Sequence, residues 1–206
     1  MVKVIESSFR VVDEINPQRI MQKLEQIGRV SHQSGSKITP TSADKFIGDR
    51  LKKDADGIAH DGLLEHELLT VQFVCDRKTS HQLVRYRIAS FCQESSRYCN
   101  YDAGIPVINP PYWSQYSDSY KVWLRVMQQV EDGYNELRAL GNQPEAAALV
   151  LTNSTKTEVF ASLNFRSWRN VFRQRCGKRA DLGIRQLMTG LRDYLRGVLP
   201  VIFGDV

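Results

Sequence analysis

Residues Ser80–Tyr101, SHQLVRYRIASFCQESSRYCNY, set the reading of the rest of the chain. Three arginines (Arg85, Arg87, Arg97) stand among Gln82, Gln93, Glu94, Ser95, Ser96, Tyr98 and Asn100, while Leu83, Val84, Ile88, Ala89 and Phe91 thread apolar residues through the same run. A purely solvated basic face has no need of that thread, so part of the segment is expected to be buried. A guanidinium drawn toward a core is costly unless an anion pairs with it. Its fork grips phosphate or carboxylate at two points, and serine hydroxyls add short donors beside it. These residues alone leave two readings, an exposed polar surface or a pocket for a phosphorylated small molecule, and the apolar thread favours the pocket.

Around this segment the chain reads as a mixture of strands and helices. Upstream, Leu68–Cys75 alternates through Leu69, Val71, Phe73 and Cys75 and is the clearest strand. Asp76-Arg77-Lys78 is expected to turn it, with Thr79 or Ser80 capping a short helix that runs through the arginine pair. Val2–Ile5 and Phe9–Val12 supply the β-branched residues of a short strand, and Asn16-Pro17 opens a helix whose apolar face is Ile20, Leu24 and Ile27. Ser31–Pro40 is rich in serine and glycine and reads as a loop. A second helix is expected from Thr41 or Ser42, facing Ala43, Phe46, Ile47 and Leu51 inward and ending before Gly57.

Downstream, the three prolines of AGIPVINPPYW predict an extended connection across the surface. Trp113–Leu140 repeats apolar residues at helical spacing and stops at Gly141. Pro144 opens a shorter helix to Leu151, Glu158–Leu163 alternates as a strand, and one or two helices follow Ser167. Arg166, Arg169, Arg173, Arg175 and Arg179 recur there every two to four residues, which predicts either an exposed basic face or a second arm of the same anion site.

Composition bounds the function. The 206 residues suit one sizeable domain spanning 1–206, and 42% hydrophobic with 25% charged residues is ordinary for a soluble globular protein. No apolar run approaches the ~18 residues of a spanning helix. The first residues, MVKVIESSFRVVDEINP, place acidic side chains where a secretion signal needs an apolar stretch, so a cytoplasmic protein without membrane partners is expected. Cys75, Cys92, Cys99 and Cys176 form no CxxC pair and are expected to be reduced and mostly buried. His60, Glu65, His66 and His81 lack the spacing of a helical zinc site, and no metal is expected. The net charge of +5 is spread along the chain without a zinc finger or a stacking signature, which points to anionic small ligands rather than nucleic acid.

A resemblance now enters. Arg85-Tyr86-Arg87, seven further residues and Ser95, then Arg97-Tyr98, resemble the RHR-x7-S signature of the flavin-dependent thymidylate synthases. His60 with Glu65-His66 is similar to that family's GH…EH loop. Thr157-Glu158, Asn164, Arg166, Trp168 and Arg169 are similar to its later segment, which ends in a substrate arginine where this chain has Arg175. The likeness runs from about Gly57 to Met188. It implies an α+β fold, with helices packed on a central, mostly antiparallel sheet, and a homotetramer whose active sites lie between subunits and bind FAD. It implies transfer of a methylene carbon from methylenetetrahydrofolate to C5 of dUMP, with NADPH reducing the flavin.

Carried over position by position, the resemblance assigns Gln82, Arg85, Gln93, Glu94, Ser95, Ser96, Arg97, Tyr98, Ala148 and Arg175 to the nucleotide, with Ser95, Arg97 and Arg175 closest to the chemistry. It assigns His60, Arg77, Arg85, Tyr86, Arg87, Ile88, Asn164, Arg166 and Asn170 to FAD. The residues suit the reaction, because methylating C5 of uracil without a cysteine adduct needs hydride from a reduced flavin and cationic donors to polarise the pyrimidine carbonyls.

The departures are informative. Tyr86 stands where the family has histidine, Gly62 where a serine or threonine often touches FAD, Arg179 where a late histidine is usual, and Ala148 where an arginine contacts uracil. Three readings of Ala148 stay open: a substitution introduced into an ordinary member, an enzyme shifted to UMP like the methylases of nucleoside-antibiotic biosynthesis, or a flavin- and nucleotide-binding relative with impaired catalysis. Both dUMP and UMP remain candidate substrates.

Overall fold

The computed structural model describes residues 2–52, 55 and 59–206. Gly57, where the resemblance begins, lies outside the described residues. Strand β3 (Leu68–Asp76) is the axis of the fold, and its alternation is realised residue by residue. Leu69, Val71, Phe73 and Cys75 are buried, while Thr70, Gln72 and Val74 are half-buried on the opposite face. It pairs antiparallel over nine residues with β6 (Lys156–Asn164), from Leu68 opposite Asn164 to Asp76 opposite Lys156. Strand β2 (Ser8–Val11) adds antiparallel to the other edge of β3 and β4 (Ser90–Gln93) to the other edge of β6, giving the order β2-β3-β6-β4. A separate pair joins β1 (Lys3–Ile5) to β5 (Pro106–Ile108) in parallel. The fold is α+β with a mostly antiparallel sheet, as the resemblance implied.

Five helices cover the apolar face of the main sheet: α1 (Pro17–Val30), α2 (Ala43–Leu51), α6 (Phe165–Arg175), α7 (Leu182–Val198) and α8 (Pro200–Phe203). Asn16 caps α1 by accepting from the Arg19 amide at 3.0 Å. Each fully buried side chain here, Phe73, Leu163 or Leu191 among them, contributes ~1.5–3 kcal/mol. Trp168 of α6 donates its indole N–H to the Leu69 carbonyl at 3.0 Å, fastening α6 to β3. A second core forms where α4 (Asp118–Ala139) lays Tyr120, Trp123, Met127 and Tyr134 on Val2, Ile105, Val107 and Ala147. No helix among the described residues is long and apolar enough to cross a membrane.

Several expectations are corrected. The single N-terminal strand is two strands in two different sheets, separated by Glu6 and Ser7. Helix α3 (Arg77–Leu83) is capped by Asp76, whose Oδ1 accepts from the Thr79 amide at 2.5 Å, and it ends before the arginine pair. Residues 90–93 are strand. The proline-rich segment buries Ile105, Val107 and Ile108 instead of crossing the surface, because three extended residues suffice to pair with β1. Helix α4 begins at Asp118 rather than at Trp113, with Ser117 Oγ accepting from the Tyr120 amide. Helix α5 (Pro144–Ala147) passes into a 3-10 turn at Ala148–Val150, so the helix expected to Leu151 is shorter and tighter. Cys75 is buried and its thiol is pushed up to about 12 by burial, but Cys92 is exposed.

Candidate active site

The RYR segment follows α3 directly and faces α6. Asn164 ends β6 and caps α6, its Oδ1 accepting from the Ser167 amide at 2.8 Å, which sets the helix so that Ser167, Asn170 and Gln174 share one face. That face, Arg175, and Arg85, Tyr86, Arg87 and Ile88 enclose a cavity of about 380 Å³. Guanidinium, amide and hydroxyl groups line it, and among the described residues no carboxylate does.

Tyr86 is the hub. Its hydroxyl accepts from Arg175 Nε at 3.1 Å and donates to Gln174 Oε1 at 3.1 Å. Arg175 Nη1 reaches Gln82 Oε1 at 3.4 Å, and the guanidinium carbon lies 5.7 Å from the Tyr86 ring centre, within cation–π range.

Of the nucleotide assignments, Arg85 and Arg175 line this cavity and Gln82 touches Arg175, while the others lie elsewhere in the same chain. Gln93 is turned inward, donating to Ser80 Oγ at 2.9 Å and Thr157 Oγ1 at 3.1 Å. Glu94 accepts from Lys156 Nζ at 2.8 Å and from the Tyr101 hydroxyl at 2.9 Å, and Lys156 also binds Glu158 at 2.6 Å. These residues border a second cavity of about 690 Å³, with Cys92, Cys99, Pro106 and Phe160 on its walls. Burial and then the Glu94 carboxylate raise the Tyr101 hydroxyl above its ordinary range. Burial pulls Lys156 down, but the hydrogen bonds to Glu158 and Glu94 outweigh it and leave the ammonium firmly charged.

Ser95–Arg97 form an open turn in which Ser95 Oγ accepts from the Arg97 amide at 3.3 Å. Arg97 Nε meets Glu145 at 3.1 Å with both side chains well exposed, and its guanidinium lies over the exposed Tyr98 ring. Ala148 is half-buried in the turn after α5, close in sequence to Glu145.

Among the flavin assignments, Arg85, Tyr86, Arg87, Ile88 and Asn170 line the smaller cavity. His60, Arg77, Asn164 and Arg166 do not line it. Arg166 is engaged by Asp61 at 2.9 Å and Glu65 at 2.6 Å, Asn164 is used as a cap, and Arg77 sits at the start of α3 with Nη2 buried and unpaired. Of the five late arginines expected as one arm, only Arg175 reaches the cavity. Arg169 is 1% exposed, with its guanidinium held by the Asp205 carboxylate at 2.6 and 2.7 Å and by the Ile202 carbonyl, so it is a packing element. Arg173 and Arg179 are exposed. Ser167, Gln174, Lys156 and Tyr101 were not anticipated. The spacing of Ser167, Asn170 and Gln174 on one helical face was the available signal for the first two.

A donor-lined cavity beside α6 and a separate serine–arginine turn define a class: an α+β chain that presents cationic and polar donors at two places. The family model described as thymidylate synthase complementing protein matches residues 10–201, and the chain belongs to that family. It is 35% identical over 150 residues to the flavin-dependent thymidylate synthase of Geobacter sulfurreducens, a match covering 72% of this chain and 65% of that relative. It is 29% identical over 196 residues to that of Corynebacterium diphtheriae, covering 86% and 75%. The chain thus spans about two thirds to three quarters of these relatives' lengths. A crystal structure of the UMP/dUMP methylase PolB from Streptomyces cacaoi bound with 5-Br dUMP superposes with a TM-score of 0.81 at 18% identity, covering 98% of this chain and 96% of that one. At that identity the likeness establishes the shared fold.

Proposed function

We propose that the protein methylates C5 of a uridine monophosphate nucleotide, dUMP or UMP, with FAD as cofactor and methylenetetrahydrofolate and NADPH as co-substrates. The observation that carries this reading is the cavity of about 380 Å³ in which Arg85, Arg87 and Arg175 converge with Asn170 and Gln174. Its donors suit the diphosphate and carbonyl-rich ring edge of a flavin, and no lining carboxylate opposes them. When bound, the flavin supplies the hydride that turns the transferred methylene into a methyl group, while C5 gives up its proton.

The chain's own part is binding, orientation and field. Arg85, Arg87, Ile88 and Asn170 hold the cofactor. Arg175, steadied by Tyr86 and Gln82, offers a permanent positive charge to the pyrimidine carbonyl as negative charge develops on it. Ser95, Ser96 and Arg97 take the phosphate, with Gln93 and Glu94 beside them. Arg97 stands on an exposed turn and does not line the cavity that Arg175 lines, which supports a homotetramer with active sites shared between copies.

Two measurements decide it. The purified protein should turn yellow with added FAD, and with the folate donor and NADPH it should release tritium from C5-labelled dUMP or UMP. Protein that takes up no flavin contradicts the assignment. A second reading, a binding relative with impaired catalysis, is favoured by Ala148, which offers no donor. It predicts flavin and nucleotide uptake without proton release, and recovery of release in Ala148→Arg.

A further inference from the structure

Arg175 is the last residue of α6, where a four-bond side chain has wide rotameric freedom. An arginine that must meet one carbonyl of a small ring cannot remain free, because misorientation dissipates the field it supplies. The contacts around it remove that freedom in one direction only. Arg175 Nε–H is an obligate donor, so the Tyr86 hydroxyl accepts there and must give its own proton away, which it does to Gln174 Oε1. Gln174 in turn donates Nε2–H to Asn170 Oδ1 at 3.1 Å. As they stand, these hydrogen bonds run in one direction, from Arg175 through Tyr86 and Gln174 to Asn170. The Tyr86 ring against the guanidinium and the Gln82 carbonyl on Nη1, on the edge opposite Nε–H, hold it from two further sides, leaving Nη2 without a hydrogen-bond partner among the described residues.

We propose that Tyr86 is the positioning residue for Arg175: its hydroxyl fixes the guanidinium so that the Nη2 edge faces the pyrimidine of the uridine nucleotide. This rests on the nucleotide reading above. It also gives this chain's tyrosine at the centre of the RYR segment a task distinct from contacting the flavin, since the phenol reaches across to the end of α6.

Tyr86→Phe keeps the ring and removes only the hydroxyl, so the test is made on the flavin-loaded full chain. The arginine Nε–H signal that disappears in Arg175→Lys identifies Arg175 by NMR, and its exchange with water should be slow in the parent and faster in Tyr86→Phe. Affinity for dUMP or UMP should fall about 3- to 10-fold, the range of one lost hydrogen bond, while FAD affinity stays unchanged. Unchanged Nε–H exchange in Tyr86→Phe overturns the proposal. So does a loss of FAD affinity with nucleotide affinity intact, which makes Tyr86 a flavin contact. Parent protein that binds neither nucleotide overturns the nucleotide reading alone, and the exchange measurement still decides whether Tyr86 anchors Arg175.

Discussion

The two halves of the segment around Ser80–Tyr101 are built to different standards. Residues 85–88 face α6, which is pinned to β3 through Trp168 and to Asp205 through Arg169, and Tyr86 among them is tied to Arg175 and Gln174 of that helix. Residues 95–98 stand on an open turn whose arginine meets only an exposed carboxylate and a ring beneath it. The base of that turn is held by Glu94 with Lys156 and Tyr101, and the Tyr98 and Cys99 amides close it on the Ser95 carbonyl, but the side chains at its tip, Arg97 and Tyr98, stand exposed. The first half meets its partners within one chain, and the second stands exposed. Under the function proposed above, that difference lets one short segment serve a cofactor and a substrate at once.

The largest test of the contrast is the pin under the first half. Asp205→Ala leaves the buried Arg169 charge without its carboxylate and should cost about 3 kcal/mol in urea unfolding, the low end for buried pairs because Asp205 itself is reached by water. Burial works to raise the Asp205 carboxyl, but the Arg169 hydrogen bond and charge, joined by a backbone hydrogen bond and the Arg173 charge, together outweigh it and hold the folded value below the ordinary one. Its contribution is therefore full above about pH 4 and is lost as pH falls through the lowered value, so the variant should lose that part of the acid limb.

The base of the second half gives a smaller effect. Lys156→Met leaves Glu94 and Glu158 facing each other without a cation, and about 1–2 kcal/mol of stability should go, measured by thermal melting. The smallest effect belongs to the tip. Glu145→Gln should change stability by less than about 0.5 kcal/mol, since the Arg97 pair is exposed on both sides. A cost near that of Asp205→Ala would erase the contrast.

Legibility followed the range of the interactions. The alternation of β3 and the Asn16-Pro17 start of α1 are local signals, and both elements formed where the sequence placed them. Strands β4 and β5 are four and three residues long and owe their existence to distant partners, Ser90 to Ser162 and Pro106 to Lys3, which no local pattern announces. The same holds for the site. The RYR run was visible, but the pairing of Tyr86 with Arg175 spans 89 residues, and Arg169 was counted with the anion-binding arginines because its partner Asp205 lies 36 residues on.

The central claim is that the serine–arginine turn and the Arg175 cavity meet only between copies of the chain. The direct measurement mixes two variants, Arg97→Ala and Arg175→Ala, each expected to release little tritium from C5-labelled dUMP or UMP, and lets their subunits exchange. The account predicts that the mixture regains release that neither variant shows alone, because some hybrid sites receive both intact arginines. A mixture that exchanges subunits and stays as inactive as its parts would place both arginines in the site of a single chain and contradict it.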